Sequence, residues 1–194
     1  NDFILDVFKS AVTENGERDR RFRIEHAQHL SAAAISRFGL ENIIPSMQPY
    51  HAIDDGKWAY KRLDSARLKR TYPFKSLLRS NAKLSFGSDW TVAPLTPLEG
   101  IYAAVTRQTL DGKNPGGWFP EQKISVEEAL RCYTIANAYA GFEEKKLGKI
   151  KKDYLADFVI LSDNIFEIAP ESIRNTKVLQ TIINGKEVFN SSKK

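Results

Sequence analysis

Leu84-Ser85-Phe86-Gly87-Ser88-Asp89-Trp90 is the stretch on which the reading of the fold turns. Leu84 and Phe86 form the short apolar run of a buried strand, Gly87 frees the backbone at its end, and a carboxylate follows at once. Asp89 is therefore expected at the carboxyl edge of a strand, the rim on which α/β proteins assemble their chemistry. The same grammar occurs twice upstream. Phe22-Arg23-Ile24-Glu25-His26 ends an extended stretch in a histidine, and Asn42-Ile43-Ile44-Pro45-Ser46-Met47-Gln48 ends one in an amide, with His51 just beyond. Three strand ends thus bring polar groups to one rim.

Helical patterns separate these strands. Ile4, Val7, Phe8 and Ala11 form an amphipathic stripe over residues 2–11. Ser31 is an N-cap for an Ala-rich helix that stops at Gly39, and a helix over residues 73–81 leads into the central strand. Thr96-Pro97-Leu98-Glu99 reads as a capping box with proline at the first helical position, and Leu98, Ile101, Tyr102 and Val105 supply the inner face. Ser125-Val126-Glu127-Glu128 is a second box, opening a helix that runs to Ala140 and ends at Gly141. The long polar insert between Gln48 and Thr71, with Trp58 and Tyr60 among charges, is a candidate substrate-covering loop. From about Gly148 the pattern changes: residues 154–161 read as a strand, and residues 178–183 and 186–189 as a hairpin closed by Asn184-Gly185 in a type I′ turn.

The chain is therefore read as α/β over residues 1–142, with a β appendage over residues 143–194. Alternating strands and helices imply parallel pairing with right-handed crossovers, in a doubly wound sheet or a (β/α) barrel. The spacing of His26 and Asp89 fits two consecutive βα units of roughly 30 residues each. Three strands cannot close a barrel, which takes about 250 residues, so in the barrel case these residues form its last part.

Composition narrows the class. The 194 residues are 42% hydrophobic and 27% charged, enough for a sizeable core. No run approaches the ~20 apolar residues of a membrane span, and the start lacks the charged and apolar regions of a signal peptide. Asn1 is not Met, so further chain is expected upstream. With one cysteine, Cys132, no internal disulfide is possible; its helical setting reads as a small buried hydrophobe, and a cytoplasmic location is expected. The net charge of +5 comes from dispersed clusters, Lys61-Arg62, Arg67 to Arg70 and Lys145 to Lys152, without interleaved aromatics, so no nucleic-acid partner is expected.

A neutral imidazole and a carboxylate converging on one rim are ordinary ligands for a divalent metal such as zinc. A carboxylate that touches both metal and water can also take the water's proton, which makes metal-assisted hydrolysis the natural reaction class. Spacing alone leaves plain polar caps as the commoner explanation. On residue type alone His26 reads sooner as a satisfied core histidine than as a ligand, Asp89 fits a turn aspartate too, and His51 reads equally as an exposed-loop histidine.

Six strings, in order, add a resemblance: RFRIEHAQ (21–28), SMQPYHA (46–52), FGSDW (86–90), AVTRQTL (104–110), SVEEALRCYTIANAYA (125–140) and LADFVIL with VLQTIINGKEVF (155–161, 178–189). Together they resemble the carboxyl-terminal part of the amidohydrolase superfamily, nearest the amidohydrolase-3 branch that includes N-substituted formamide deformylases. The resemblance implies the carboxyl-terminal part of a (β/α)8 TIM-type barrel, carrying strands six to eight, plus strands of a small β-sandwich. It makes His26 the metal-binding histidine at the end of strand six and Asp89 the strand-eight aspartate that contacts metal and activates water. Gln48, His51 and Arg107 match substrate-pocket positions, Arg107 with a structural alternative. The implied activity is hydrolysis of non-peptide C–N bonds in a small molecule, with zinc as the expected metal.

The family's first-strand His-x-His pair, fourth-strand bridging ligand and fifth-strand histidine have no counterpart here, and Thr91 stands where proline is usual. A site of one histidine and one aspartate binds metal weakly. The other expectation is therefore a non-catalytic folded piece, without metal, that covers its open strand edges by self-association into a homo-oligomer.

Overall fold

The computed structural model describes residues 1–193. Helix α1 (Asp2–Asn15) precedes three strands of one parallel sheet: β1 (Arg23–Glu25), β2 (Ile44–Met47) and β3 (Ser85–Phe86). The sheet order is β1-β2-β3, with Glu25 opposite Ser46 and Ser46 opposite Ser85, so the three carboxyl ends lie level. That register turns three separate strand endings into one rim. The central strand contains Pro45, which has no N–H to donate, and pairing is secured on either side of it. Ile44 N donates to Phe22 O at 2.8 Å and Gly87 N to Met47 O at 2.9 Å.

Helix α2 (Ala32–Leu40) connects β1 to β2, capped by Ser31 Oγ, which accepts from Ala34 N. It runs through Gly39 instead of stopping there. A Cβ at Gly39 would come within 1.7 Å of Ser80 O, so the residue answers a close approach of two elements and not a helix end. The insert after β2 is helical, not open loop: α3 (Pro49–Asp55), a 3-10 turn at Ala59–Lys61 and α4 (Ser65–Leu68), followed by α5 (Phe74–Arg79). Proline at the first position of α3 starts the helix immediately at the strand end and carries His51 into its first turn.

After β3 come α6 (Pro97–Thr106), α7 (Val126–Tyr133) and α8 (Ile135–Ala140). The Ser125–Glu128 capping box is complete, whereas Thr96 makes no side-chain cap bond. The carboxylate of Glu99 is engaged instead by Arg174 at 3.1 Å. The single helix expected from Ser125 to Ala140 is broken at Thr134, whose ψ of −79 leaves the helical region.

The core is aromatic at its centre. Phe86 packs against Phe74 at 5.2 Å and Tyr133 at 5.4 Å between ring centroids, and Leu84, Ile53, Leu77, Ile101 and Ala103 close around them. In α1 the buried residue is Leu5, with Phe8 packed against the core; Ile4 and Val7, expected on the inner face, are exposed. Ile165 and Ile173, late in the chain, belong to the same core.

A second sheet, antiparallel and ordered β4-β5-β6, is formed by β4 (Phe158–Leu161), β5 (Val178–Ile183) and β6 (Lys186–Asn190). Strand β4 is shorter than the 154–161 run suggests, since Tyr154 lies in a turn. Asn184 and Gly185 take positive φ values of 50° and 73°, as a type I′ hairpin requires. Among the described residues, no helix is long and apolar enough to cross a membrane.

Candidate metal centre

The level strand ends set the geometry. His26 is the residue after β1, Gln48 the residue after β2, and Asp89 lies three residues beyond β3. His26 (φ 66°), Ala27 (φ 41°) and Asp89 (φ 56°) occupy the left-handed region, which costs a non-glycine residue of order 1 kcal/mol or more. The strain sits at the two strand ends from which candidate ligands project, where the turn aims the side chain out of the strand direction. Gly87, by contrast, has an ordinary φ and open space around its Cβ position; the sharp bend falls on Asp89 itself. The Asp89 carbonyl is pinned by Val92 N at 2.8 Å and Ala93 N at 3.1 Å, which leaves its carboxylate free to face the rim.

His26, His51 and Asp89 each offer one ligand atom, and these atoms all lie within 4.8 Å of one another. The two imidazole rings are near-parallel, 6.0 Å apart. Nε2 of His51 stands 3.5 Å from Asp89 Oδ2, is sealed from solvent and makes no hydrogen bond. A buried ring nitrogen without a partner is costly unless another species completes it. Donors around one zinc at ~2.1 Å lie at most about 4.2 Å apart, so small side-chain rotations close this group on an ion. Two imidazole nitrogens and a carboxylate oxygen form a donor set that fits zinc or a similar transition metal.

Gln48 is buried, and its Oε1 also lacks a hydrogen-bond donor. Its backbone carbonyl accepts the His51 N–H at 3.1 Å, so the amide and the imidazole are held in one turn. Arg107 lies elsewhere. It is 0% exposed at the C-cap of α6, donating Nη1 to Tyr72 O at 2.9 Å and Nε to Trp118 O at 2.6 Å, with the Phe74 and Trp118 rings beside its guanidinium. Burial lowers its pKa to about 10, which leaves it protonated at neutral pH. The structure brings His51, expected from the sequence at the substrate, together with His26 and Asp89, the two expected metal ligands; Arg107 ties backbone segments instead of joining that group.

Two side chains beside the group escaped the sequence reading. Asp55 Oδ2 accepts from Tyr72 Oη at 2.5 Å and from Gln28 Nε2 at 3.4 Å. The signal for Asp55 was its position four residues after His51, on the same face of a helix hidden within a polar insert. For Tyr72 the sequence held none.

The family described as the amidohydrolase family matches residues 1–189 of the chain. The chain is 44% identical over 190 residues to the protein LONG AFTER FAR-RED 3 of Arabidopsis thaliana, covering 97% of this chain and 32% of that protein. It is 27% identical over 188 residues to the N-substituted formamide deformylase of Arthrobacter pascens, covering 95% and 33% respectively. Among solved structures, an uncharacterized metal-dependent hydrolase from Pyrococcus horikoshii superposes with a TM-score of 0.75 at 27% identity, over 87% of this chain and 33% of the other. The chain thus spans about a third of the length of the curated relatives it matches.

Proposed function

The chain belongs to the amidohydrolase family, and on that premise we propose that it forms part of a metal-dependent hydrolase acting on an amide-type, non-peptide C–N bond of a small molecule. The observation that carries this reading is the convergence of His26, His51 and Asp89 with the Nε2 of His51 buried and unbonded. In it, β1 to β3 are strands six to eight of a (β/α)8 barrel, and β4 to β6 contribute to a small β-sandwich. The similarity of most of this chain to a metal-dependent hydrolase of Pyrococcus horikoshii supports metal-assisted hydrolysis.

The residues divide the work. His26 and Asp89 would hold a divalent cation, zinc by the chemistry of the donors, and His51, which the sequence placed at the substrate, stands close enough to complete the set. The cation, when bound, supplies Lewis-acid polarisation and makes water acidic enough to ionise near neutral pH. Asp89 takes the proton from the attacking water at a carboxylate oxygen and returns it to the departing nitrogen as the C–N bond breaks. Gln48 offers its unpartnered Oε1 to a substrate N–H, which orients the amide on the rim. Arg107 is assigned to the scaffold. Because the chain spans about a third of the length of its curated relatives, turnover is proposed for the longer protein and not for these 194 residues alone.

Hydrolysis of N-formyl and N-acetyl amines by the complete polypeptide tests the reading. Treatment with a chelator is expected to abolish turnover and zinc to restore it, while Asp89→Asn lowers the rate at least ~100-fold. Turnover unaffected by chelation, or undiminished in Asp89→Asn, would overturn it.

A further inference from the structure

The geometry points to Asp55 and Tyr72 as positioning residues that hold the segments bearing His26 and His51 at ligating distance, a role that rests on the donor-set reading above. Asp55 is the last residue of α3, on the same face as His51 one turn earlier. Its carboxylate receives the Tyr72 hydroxyl at 2.5 Å and the Gln28 side-chain amide at 3.4 Å. Gln28 stands two residues after His26, and its carbonyl accepts the Tyr72 N–H at 2.7 Å. One carboxylate therefore ties the turn after β1 to the helix after β2, through a tyrosine bonded to both.

The tie extends to the third segment. Tyr72 is 0% exposed, with a φ of 50°, and its carbonyl accepts from Arg107, which sits at the end of the helix that follows β3. The turns and helices that follow β1, β2 and β3 thus meet at Tyr72, while neither it nor Asp55 belongs to the donor group. Burial and the Asp55 carboxylate both push the Tyr72 hydroxyl pKa up, so it stays a donor. A hydroxyl donating to a carboxylate in a poorly hydrated place makes a short, strong bond. Metal sites are sensitive to such outer contacts because ligand atoms must be preset within tenths of an ångström, and losing one costs ~10–100-fold in metal affinity.

Cobalt(II), whose visible absorption reports its coordination, is the probe. It is titrated into the metal-free complete polypeptide and into its variants, with thermal unfolding of the metal-free forms measured alongside. Tyr72→Phe and Asp55→Ala are each expected to raise the cobalt Kd about tenfold and to shift the absorption band. Asp55→Asn, which keeps an oxygen to accept the tyrosine hydroxyl, is expected to recover most of the affinity. A role confined to stability would lower Tm while leaving the cobalt band and Kd unchanged. Should Tyr72→Phe fail to fold, Gln28→Ala removes the longer arm of the same tie and is read in the same way. Wild-type Kd and band in these variants, with cobalt lost in His51→Ala, would overturn the positioning role alone. Cobalt retained in His51→Ala as well would overturn the donor-set reading, and this inference with it.

Discussion

The Arg21 side chain is only 7% exposed, and its guanidinium is fully engaged. Its guanidinium lies 4.0 Å from the centroids of both Tyr139 and Phe142 and meets Glu144 through two bonds of 2.7 Å. This fork-to-fork pair ties the approach to β1 to the segment after α8. The Glu144 carboxylate is held at about 2, well below its usual 4.5, chiefly by its bond to Arg21. A carboxylate whose pKa is depressed by folding stabilises the protein fully above its unfolded value and loses that contribution as the pH falls through the folded one. The Tm advantage of wild type over Glu144→Gln is therefore expected to persist at neutral pH and to shrink steadily between about pH 5 and pH 2. A constant difference across that window would show that the ion pair does not form. At this scale the sequence exposed residue types but not partnerships. His26 and Asp89 were legible because each ends a strand, whereas Arg21 with Glu144, and Asp55 with Tyr72, are joined only by the tertiary path of the chain.

Between elements, a tight fit lies where α6 packs on α7. A Cβ at Gly100 would fall 1.8 Å from the hydroxyl oxygen of Tyr133, so the helix tolerates a glycine in its interior because the tyrosine occupies the space of a side chain. Tyr133 in turn stacks edgewise on Phe86, the strand residue three before Asp89. Gly100→Ala is expected to destabilise the fold by about 1–3 kcal/mol in chemical denaturation, the overpacking outweighing alanine's better helix propensity. A neutral or stabilising result would mean that Tyr133 is not seated there. Element existence was largely legible, from the apolar periods and from Ser31 and Ser125 as caps. What failed were local signals with tertiary owners. Glu99 looked like a capping-box acid and serves Arg174 instead, Gly39 looked like a helix stop and serves a close contact, and the polar insert after Gln48 concealed α3, the helix that carries His51.

The parallel sheet matters to the whole molecule chiefly through its register. Level carboxyl ends let residues far apart in sequence converge, and left-handed turns at His26 and Asp89 aim two of the candidate ligands. Elsewhere the chain leaves apolar surface uncovered: Val159, Ile183 and Val188 of the antiparallel sheet are each more than half exposed. The family was legible because three of its motifs fall at strand ends in a fixed order; a substrate was not, because specificity resides in loops whose chemistry names no ligand. The most direct test of the central claim is elemental analysis of the complete polypeptide, purified without added metal, beside His26→Ala and Asp89→Ala. Stoichiometric zinc or another divalent transition metal in the wild type, lost from both variants while their folds persist by circular dichroism, is the result predicted. A metal-free wild type, or full metal retained by both variants, would contradict it.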